Sequence, residues 1–256
     1  MGDRQAKLTK NIEKFNLEFS SGSDIGKMRS ENQDRCDWFE TANPGSYIII
    51  VADGMGGPAG GGIAADIALQ SIRTMFGIPF SDPRKQILKS FDLASKKLIK
   101  RADADVTLCN MGCTISMILF HDNKIHAAHI GDSRVYKFTV GNVNQLSEDH
   151  SLVQEMVKQG TIKPEDARLH PKNNILLRAL TTNKDCEIDV YEPVKVSRND
   201  VYLVCSDGLW NMLEDKEIHQ IAINNNAETA VKLLIERANE LGGKDNIAVS
   251  IMKVIN

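Results

Sequence analysis

The apolar residues of this sequence form strand-like patterns in some segments and helix-like patterns in others, and the two kinds of segment are grouped separately along the chain. This grouping restricts the folds that the chain can adopt. Apolar runs of strand character come first, two helical stripes lie between residues 63 and 102, and three consecutive strands occupy residues 114–138. Two further helices, the second from about Ala227 to Leu241, precede a final strand at Ile247–Val254. Helices segregated from antiparallel strands are typical of the α+β class. We therefore expect helix pairs on the two outer sides of a sheet sandwich.

Three helix boundaries are marked by specific residues. Asp82 before Pro83 is typical of a helix N-cap followed by proline at the first helical position. The pair Gly242-Gly243 is expected to close the helix that ends near Leu241. Gly160 stops a short helical pattern that begins near Leu152.

The 256 residues contain no internal repeat and no linker, so a single domain over 1–256 is expected, with 1–16 as an N-terminal leader. The net charge of −3 gives no basic stripe for nucleic acid. The longest apolar run, Tyr47–Ala52, is far shorter than the roughly 20 residues that cross a bilayer. Five cysteines without a CxxC pair or a signal peptide indicate reduced thiols in a cytoplasm. Cys205 lies in an apolar run and is expected to be buried. The protein is expected to be a monomer without membrane or nucleic-acid partners.

Four short segments share one pattern, an aspartate at the end of an apolar strand followed by small residues. Asp-Gly alone is foremost a turn signal, but four such segments together favour a site at one rim of the core. Carboxylates gathered there would repel one another unless a cation neutralised them. Oxygen ligands select hard ions such as Mg²⁺ or Mn²⁺, and no His/Cys cluster argues for zinc. The segments are Val51–Gly54, Ile130–Ser133, Cys205–Gly208 and Lys244–Asn246.

A fifth segment, residues 23–34, carries a group suited to phosphate. By itself Arg29 would be interpreted as a solvated surface charge. Beside a metal pair held by carboxylates, its planar guanidinium could bind two phosphate oxygens at once.

Taken together, these motifs resemble the type 2C metal-dependent protein phosphatase family, most closely its bacterial-type branch. They occur in the family's order and extend from about Ser23 to Val254. The resemblance implies a four-layer αββα sandwich, in which helix pairs flank two antiparallel β-sheets and the metal site lies at one end. The motifs are Ser-Asp-Ile-Gly-x-x-Arg-x-x-Asn-Gln-Asp (23–34), Asp-Gly-Met-Gly-Gly (53–57), Gly-Cys-Thr (112–114), Gly-Asp-Ser-Arg (131–134), Ser-Asp-Gly-Leu-Trp (206–210) and Asp-Asn-Ile (245–247).

The resemblance also implies which residues hold metal. By their positions in the motifs, Asp53 would bridge two ions and the carbonyl of Gly54 would help to hold one of them. Asp207 and Asp245 match the other carboxylates that bind this pair directly. Asp132 matches a ligand of a third, weaker ion, with Asp207 shared. The implied cofactor is therefore two Mn²⁺ or Mg²⁺ ions with a third beside them.

Other roles follow from the same resemblance. Asp34 matches a residue that acts through a metal-bound water, and Arg29 matches the phosphate-binding arginine. Residues 151–172 match the flap that shapes substrate access in the family. Met55 stands where eukaryotic relatives have a histidine that is a candidate general acid, as it does in bacterial relatives, so the leaving group would take its proton from water or another group.

Three more positions depart from the family pattern. Gln33 replaces a glutamate found in many members, which removes one negative charge near the site. Pro58 and Gly62 stand where bacterial members commonly have histidine and glutamate. The start of the helix after Asp53, and the charge around it, are therefore the features in which this chain is expected to differ from its relatives.

Three other functions fit the sequence less well. Gly54–Ala59 satisfies the GxGxxA pattern of a dinucleotide-binding turn, but a second helix from Pro83 follows where a strand is required. Ser206 lacks the first glycine of GxSxG, and a strand histidine such as His129 is usually a satisfied core residue. A phosphoprotein-binding scaffold without turnover is the closest rival, although degenerate members of that kind lose metal aspartates that this chain keeps.

The sequence thus predicts an enzyme that hydrolyses phosphoserine and phosphothreonine in proteins. In this hypothesis a water between two metals attacks phosphorus in line, while Arg29 and the metals neutralise the phosphoryl oxygens. No covalent phospho-enzyme is needed, which agrees with the lack of a cysteine in a nucleophile motif. The expected partners are phosphorylated proteins and a cognate serine/threonine kinase that the enzyme antagonises.

Overall fold

The computed structural model describes residues 15–57, 60–183 and 187–255. The first sheet has the strand order β1-β14-β13-β8-β9, and the second has the order β11-β7-β6-β3-β2 with β12 also on β7. A small third sheet has the order β10-β5-β4, and all paired strands run antiparallel. The described strands are β1 (Leu17–Asp24), β2 (Arg35–Glu40), β3 (Tyr47–Ala52), β4 (Gly54–Met55), β5 (Gly112–Cys113), β6 (Ile115–His121), β7 (Lys124–Ile130), β8 (Arg134–Thr139), β9 (Asn142–Gln145), β10 (Leu180–Thr181), β11 (Asp189–Val190), β12 (Val194–Lys195), β13 (Val201–Cys205) and β14 (Ile247–Val254).

Four of the described helices form two pairs, as the sequence predicts. α1 and α2 pack on the second sheet, and α6 and α7 pack on the first. None of the described helices combines the length and the hydropathy needed to span a bilayer. The described helices are α1 (Gly60–Phe76), α2 (Pro83–Asp103), α3 (Leu152–Lys158), α4 (Pro164–Ala167), α5 (Asp207–Trp210), α6 (Asp215–Asn224) and α7 (Ala227–Glu240), with a 3₁₀ turn at Val106–Leu108.

The alternation of side chains along the central strands builds three apolar layers. Ile48 and Ile50 of β3 face α1 and α2, whereas Ile49 and Val51 point between the two sheets. Successive strand residues point to opposite faces, so a continuous apolar run fits a strand covered on both sides. The same alternation in β13 sends Cys205 towards α6 and α7, where it is fully buried. The predicted αββα sandwich is confirmed, and so is the burial of this cysteine.

The predicted helix boundaries are also confirmed. The side chain of Asp82 accepts a hydrogen bond from the Lys85 N–H at 3.0 Å, and Pro83 is the first residue of α2. Gly242 and Gly243 follow α7 with φ angles of 133° and 50°, which are strained for residues that carry a Cβ. After α1 the chain enters α2 rather than a strand, so a dinucleotide-binding βαβ unit is excluded.

One rim of the sandwich collects the aspartates. β3, β7 and β13 end there, so Asp53, Asp132 and Asp207 follow buried strands as predicted. The placement of Asp245 at the end of a strand is wrong, because it lies in the turn that precedes β14. β14 runs antiparallel to β13, with Val249 paired to Cys205, and the start of one strand therefore lies beside the end of the other.

Candidate metal centre

A cavity of about 480 Å³ opens at this rim, and the predicted site residues surround it. Asp34 is the exception among them: it is only 3% exposed, and its carboxylate lies within hydrogen-bonding reach of Asp53. The structure therefore brings together every residue predicted for the site. Those that line the cavity are Arg29, Asp53, Gly54, Asp132, Asp207 and Asp245.

Thr114 forms hydrogen bonds with both backbone groups of Asp53, its N–H and its carbonyl. Its N–H donates to the Asp53 carbonyl at 2.8 Å, and its hydroxyl accepts from the Asp53 N–H at 3.2 Å. The same hydroxyl lies 2.6 Å from the Ser133 hydroxyl, which ties this pair to the Asp132 turn. The Gly-Cys-Thr motif therefore fixes the position of the central carboxylate.

Asp207 is the first residue of α5, and the turn before it is locked to β14. The N–H of Ser206 donates to the Ala248 carbonyl, and its hydroxyl accepts from the Ala248 N–H at 2.9 Å. Since Ser206 is fully buried and bonded in this way, it is not a hydrolase nucleophile. A Cβ on Gly208 would lie 1.9 Å from the Asn246 carbonyl oxygen, so only glycine fits beside Asp207.

Asp245 and Asn246 connect the segment 23–34, which carries Arg29, to the aspartates of the centre. The Arg29 guanidinium donates to Asp245 at 2.6 Å. The Asn246 side chain donates to the carbonyls of Ile25 and Glu31, both at 2.9 Å, and accepts from the Gln33 N–H at 2.8 Å. The sequence indicates no role for Asn246 beyond its place in the Asp-Asn-Ile motif. The contacts place it as the anchor of the loop that carries Arg29.

A second support that was not predicted lies beneath Asp132. The Trp210 indole N–H donates to the Asp132 carbonyl at 3.0 Å. The Arg134 guanidinium lies 3.7 Å from the centre of the Trp210 ring and donates to Asp149 at 2.7 Å. Arg134 and Trp210 each end one of the family motifs, 131–134 and 206–210. Their place in these motifs is the sequence signal that indicates a role for them. Their pairing depends on the fold.

The carboxylates of the centre carry more negative charge than the protein offsets. Burial, followed by the charges of neighbouring aspartates, raises the pKa of Asp34 to about 7 and that of Asp207 to about 6. The same causes raise the pKa of Asp53 and Asp132 well above the ordinary value. Among the described residues, Arg29 is the cation that forms an ion pair with this group. The centre therefore favours the binding of further positive charge.

The donor chemistry of the centre fits hard divalent ions. Neither histidine nor cysteine is found among the described residues that line the cavity. Asp34 Oδ2 is buried without a described hydrogen-bond partner. In the described parts of the chain, however, no three acidic, imidazole or thiol groups are placed to enclose one ion. The carboxylates instead contact one another, with Asp53 in reach of Asp34 and Asp207. Donor type and charge fit Mg²⁺ or Mn²⁺, whose binding would replace these contacts.

Gly62, one of the positions that depart from the family pattern, has a substitute for its missing charge nearby. Gly62 lies in the first turn of α1, where a Cβ would be 3.4 Å from the Arg35 guanidinium. Arg35 bonds Asp66, one turn further along the helix, at 2.7 Å. Asp66 thus supplies the negative charge that Gly62 lacks. Met55 lines the cavity, and Pro58 lies outside the described residues.

The predicted flap, residues 151–172, contains α3 and α4. Arg168 fastens it to the start of α6 through a 2.6 Å bond to Glu214. Asn174 and Leu176 line the metal cavity, and they lie just beyond the predicted range. The segment that approaches the centre therefore extends further along the chain than the sequence indicated.

His129 matches its predicted structural role only in part. It is fully buried, and its Nδ1 lies 2.8 Å from the Ser116 hydroxyl. Its Nε2 has no hydrogen-bond partner among the described residues. His129 is thus a core histidine that is satisfied on one side.

Comparisons with known proteins agree with this architecture. A family profile described as "Protein phosphatase 2C" matches residues 26–244. The serine/threonine phosphatase stp of Listeria welshimeri is 33% identical over 237 residues, which cover 90% of this chain and 93% of that protein.

Two solved structures share the fold over most of their length. The serine/threonine phosphatase of S. agalactiae has a TM-score of 0.86 and 34% identity, and the match covers 93% of this chain and 100% of that one. The catalytic domain of the phosphatase PstP, in complex with two manganese ions, has a TM-score of 0.85 and 29% identity. That match covers 94% of this chain and 99% of the PstP chain.

Proposed function

The chain belongs to the protein phosphatase 2C family of serine/threonine phosphatases, and we propose that it hydrolyses phosphoserine and phosphothreonine in proteins with a metal-activated water. The observation that carries the proposal is a cavity lined by four aspartates, with Asp34 buried beside them and Arg29 as the arginine at its edge among the described residues. The manganese ions of the PstP structure support a metal-dependent reaction.

Each residue of the centre has a definite task in this proposal. Asp53, Asp207 and Asp245 would hold two divalent ions with the Gly54 carbonyl, and Asp132 would share Asp207 for a third. Mn²⁺ or Mg²⁺ bound there supplies Lewis acidity, which lowers the pKa of water and stabilises charge on phosphoryl oxygens. Asp34 would orient water through its buried carboxylate.

When a phosphorylated substrate binds, Arg29 would exchange its contact with the Asp245 carboxylate for one with the phosphoryl group. Its side chain is 56% exposed at the cavity and is bonded to Asp245. A phosphoryl group in the cavity offers two oxygens to the same planar donor. Arg29 would therefore orient the phosphoryl group for attack.

We further propose phosphorylated proteins as substrates, a serine/threonine kinase as the opposing enzyme, a cytoplasmic location and a monomeric state. The first two follow from the reaction, since a phosphoprotein phosphatase needs a kinase to supply its substrate. The cysteine pattern of the sequence supports the third.

The deciding experiment measures phosphate released from a phosphothreonine peptide by the purified protein. We expect turnover with Mn²⁺ and its loss with a chelator, with recovery when Mn²⁺ is restored. Binding of the peptide without release at saturating Mn²⁺ would instead favour a phosphoprotein-binding scaffold. Equal turnover with and without chelator would contradict the metal dependence.

A further inference from the structure

A second depression lies beside the metal cavity, and we call it the lateral groove. Its lining includes Met55, Ile130, Asn174, Leu176, Leu177 and Thr181, and its volume is about 870 Å³. This volume lies within the range of about 300–1,000 Å³ that is typical of ligand pockets. None of the roles proposed above uses this groove.

The lateral groove is continuous with the metal cavity. Met55, Asn174 and Leu176 line both depressions. An extended polypeptide advances about 3.3 Å per residue, so a chain with its phosphorylated residue in the cavity would reach the groove within a few residues. The occupant indicated by this continuity is the substrate polypeptide itself.

The groove has a mixed lining, and its exposed apolar part is the wall at Leu177. Leu177 is 54% exposed, and the neighbouring Ile175 is 42% exposed. Two charged residues, Arg178 and Glu187, also line the groove, and Arg178 is paired with Asp189 at 2.9 Å. Large apolar side chains exposed together beside a cavity are typical of binding surfaces. The part of the groove at Leu177 therefore favours an apolar substrate side chain.

The backbone of this wall is held in place before any substrate arrives. The N–H groups of Leu177 and Arg178 both donate to the His150 carbonyl, at 2.8 and 3.4 Å. The Leu152 N–H donates to the Ile175 carbonyl at 2.8 Å. A wall fixed in this way binds its ligand with a smaller loss of conformational entropy.

We infer that the lateral groove binds the substrate residues next to the phosphorylated one, and that Leu177 selects an apolar side chain there. The inference rests on the proposed phosphatase function. It adds a specificity-determining residue that lies outside the metal centre.

The experiment uses a set of phosphothreonine peptides in a Gly/Ser background. Each peptide carries one leucine, placed at one of the three positions before or the three positions after the phosphothreonine. We expect leucine at one or two consecutive positions on one side to raise kcat/KM about tenfold, the lower end of the discrimination that apolar pockets provide. An aspartate at the same position should give no gain. Hydrolysis of all peptides at one rate would overturn the inference and leave the proposed function intact, whereas hydrolysis of none would overturn both.

Variants of Leu177 assign the preference to the groove. Leu177→Ala should remove most of the tenfold gain, and Leu177→Glu should transfer the preference to a peptide with lysine at that position. Leu88→Ala is the matched control, because Leu88 is 41% exposed on α2, away from the groove. A leucine preference that survives both Leu177 substitutions would overturn the inference. Circular dichroism of each variant separates a change in specificity from a loss of fold.

Discussion

At the scale of single residues, the centre is a set of like charges held together by the rest of the protein. The Asp53 carboxylate is surrounded by those of Asp34, Asp207, Asp132 and Asp245, and burial and these charges raise its pKa well above the ordinary value. Its ionised form therefore costs folding free energy in the metal-free protein, and bound cations would remove that cost. Function and stability thus make opposite demands on this residue.

The substitution Asp53→Asn separates these demands. We expect kcat/KM to fall about a thousandfold, since several kcal/mol of metal-derived stabilisation is lost. In chelator, the variant should unfold at the same temperature as the wild type or higher, because one buried charge is gone. Phosphate release and thermal unfolding measure the two effects. Asp92→Asn, at an exposed site on α2, is the control, and a large drop in metal-free stability for Asp53→Asn would contradict the interpretation.

The substitution Arg29→Ala tests phosphate orientation. We expect KM for a phosphopeptide to rise about 10- to 100-fold, the equivalent of one charge-assisted bidentate contact. The fall in kcat should be smaller than the rise in KM. Steady-state kinetics at saturating Mn²⁺ give both constants, with Lys27→Ala as a control from the same loop. An unchanged KM would argue that Arg29 serves only to pair with Asp245.

His129 gives the protein a pH dependence of known sign. Burial, followed by the charge of His150, lowers its pKa from 6.5 to about 3, so the unfolded chain binds a proton that the folded chain does not. Stability contributed by the neutral ring is full above the unfolded pKa and is lost as the pH falls below it. Between about pH 7 and about pH 5, this residue alone should lower the unfolding free energy by about 2 kcal/mol.

Urea unfolding of the wild type and His129→Gln at both pH values measures this contribution. The carboxylates of the centre titrate in both proteins, so the difference between the two pH dependences isolates the histidine. We expect a weaker acid destabilisation in His129→Gln. Identical dependences would mean that the imidazole is protonated in the folded protein.

The aspartates that meet at the cavity could be predicted from the sequence, but the residues that support them could not. Asp53 and Asp207 stand out because each ends a buried apolar run. Asn246 anchors residues that lie more than 200 positions earlier in the sequence, at Ile25, Glu31 and Gln33. No local pattern encodes such a contact, because it exists only after β1 and β14 have paired.

At the scale of elements, strong local signals gave accurate boundaries. The Asp82-Pro83 start of α2 and the Gly242-Gly243 end of α7 are set by residues within one turn. The region from 151 to 190 was less predictable. Its described strands have only two residues each, and isolated contacts such as the bridge from Ser151 to Leu176 hold it. Pairings this short leave no periodicity in the sequence.

The N-cap of α2 provides a test at this scale. Asp82→Ala removes the 3.0 Å bond to the Lys85 N–H and should lower the unfolding free energy by about 1 kcal/mol. Activity should not change, because α2 packs on the sheet face away from the metal centre. Urea denaturation checks the first expectation and phosphate release the second. Asp92→Ala, within the same helix, should change stability by less than about 0.5 kcal/mol; an equal loss in both variants would rule out capping as the cause.

At the scale of the whole molecule, the metal centre lies at the meeting point of both sheets. β3 and β7 of one sheet bring Asp53 and Asp132, while β13 and β14 of the other bring Asp207 and Asp245. Cations bound there would hold the two sheets together at one rim. The sandwich could be predicted from the blocks of strand and helix period, but the strand order could not, since antiparallel pairing leaves many orders open.

This arrangement predicts that divalent cations stabilise the entire fold. At a Mn²⁺ concentration about 100-fold above its dissociation constant, the unfolding free energy should rise by about 2.7 kcal/mol. For a chain of this length, that corresponds to a rise in Tm of roughly 5–10 °C. Calorimetry with and without Mn²⁺ checks the value, and Asp53→Asn should lose the shift. The same shift produced by NaCl at equal ionic strength would indicate charge screening alone.

The pairing of β1 with β14 has a consequence for biosynthesis. Leu17 pairs with Val254, and Asn246 holds the loop that carries Arg29, so residues translated early depend on residues translated more than 200 codons later. Long-range pairings of this kind close slowly, because the loop between them must be ordered first. A nascent chain that stops before Asp245 has Asp53, Asp132 and Asp207, but it lacks both Asp245 and the Asn246 side chain that anchors the loop of Arg29. Catalytic competence would therefore arise only after translation has passed β14, so an unfinished chain would not remove phosphate from cellular proteins.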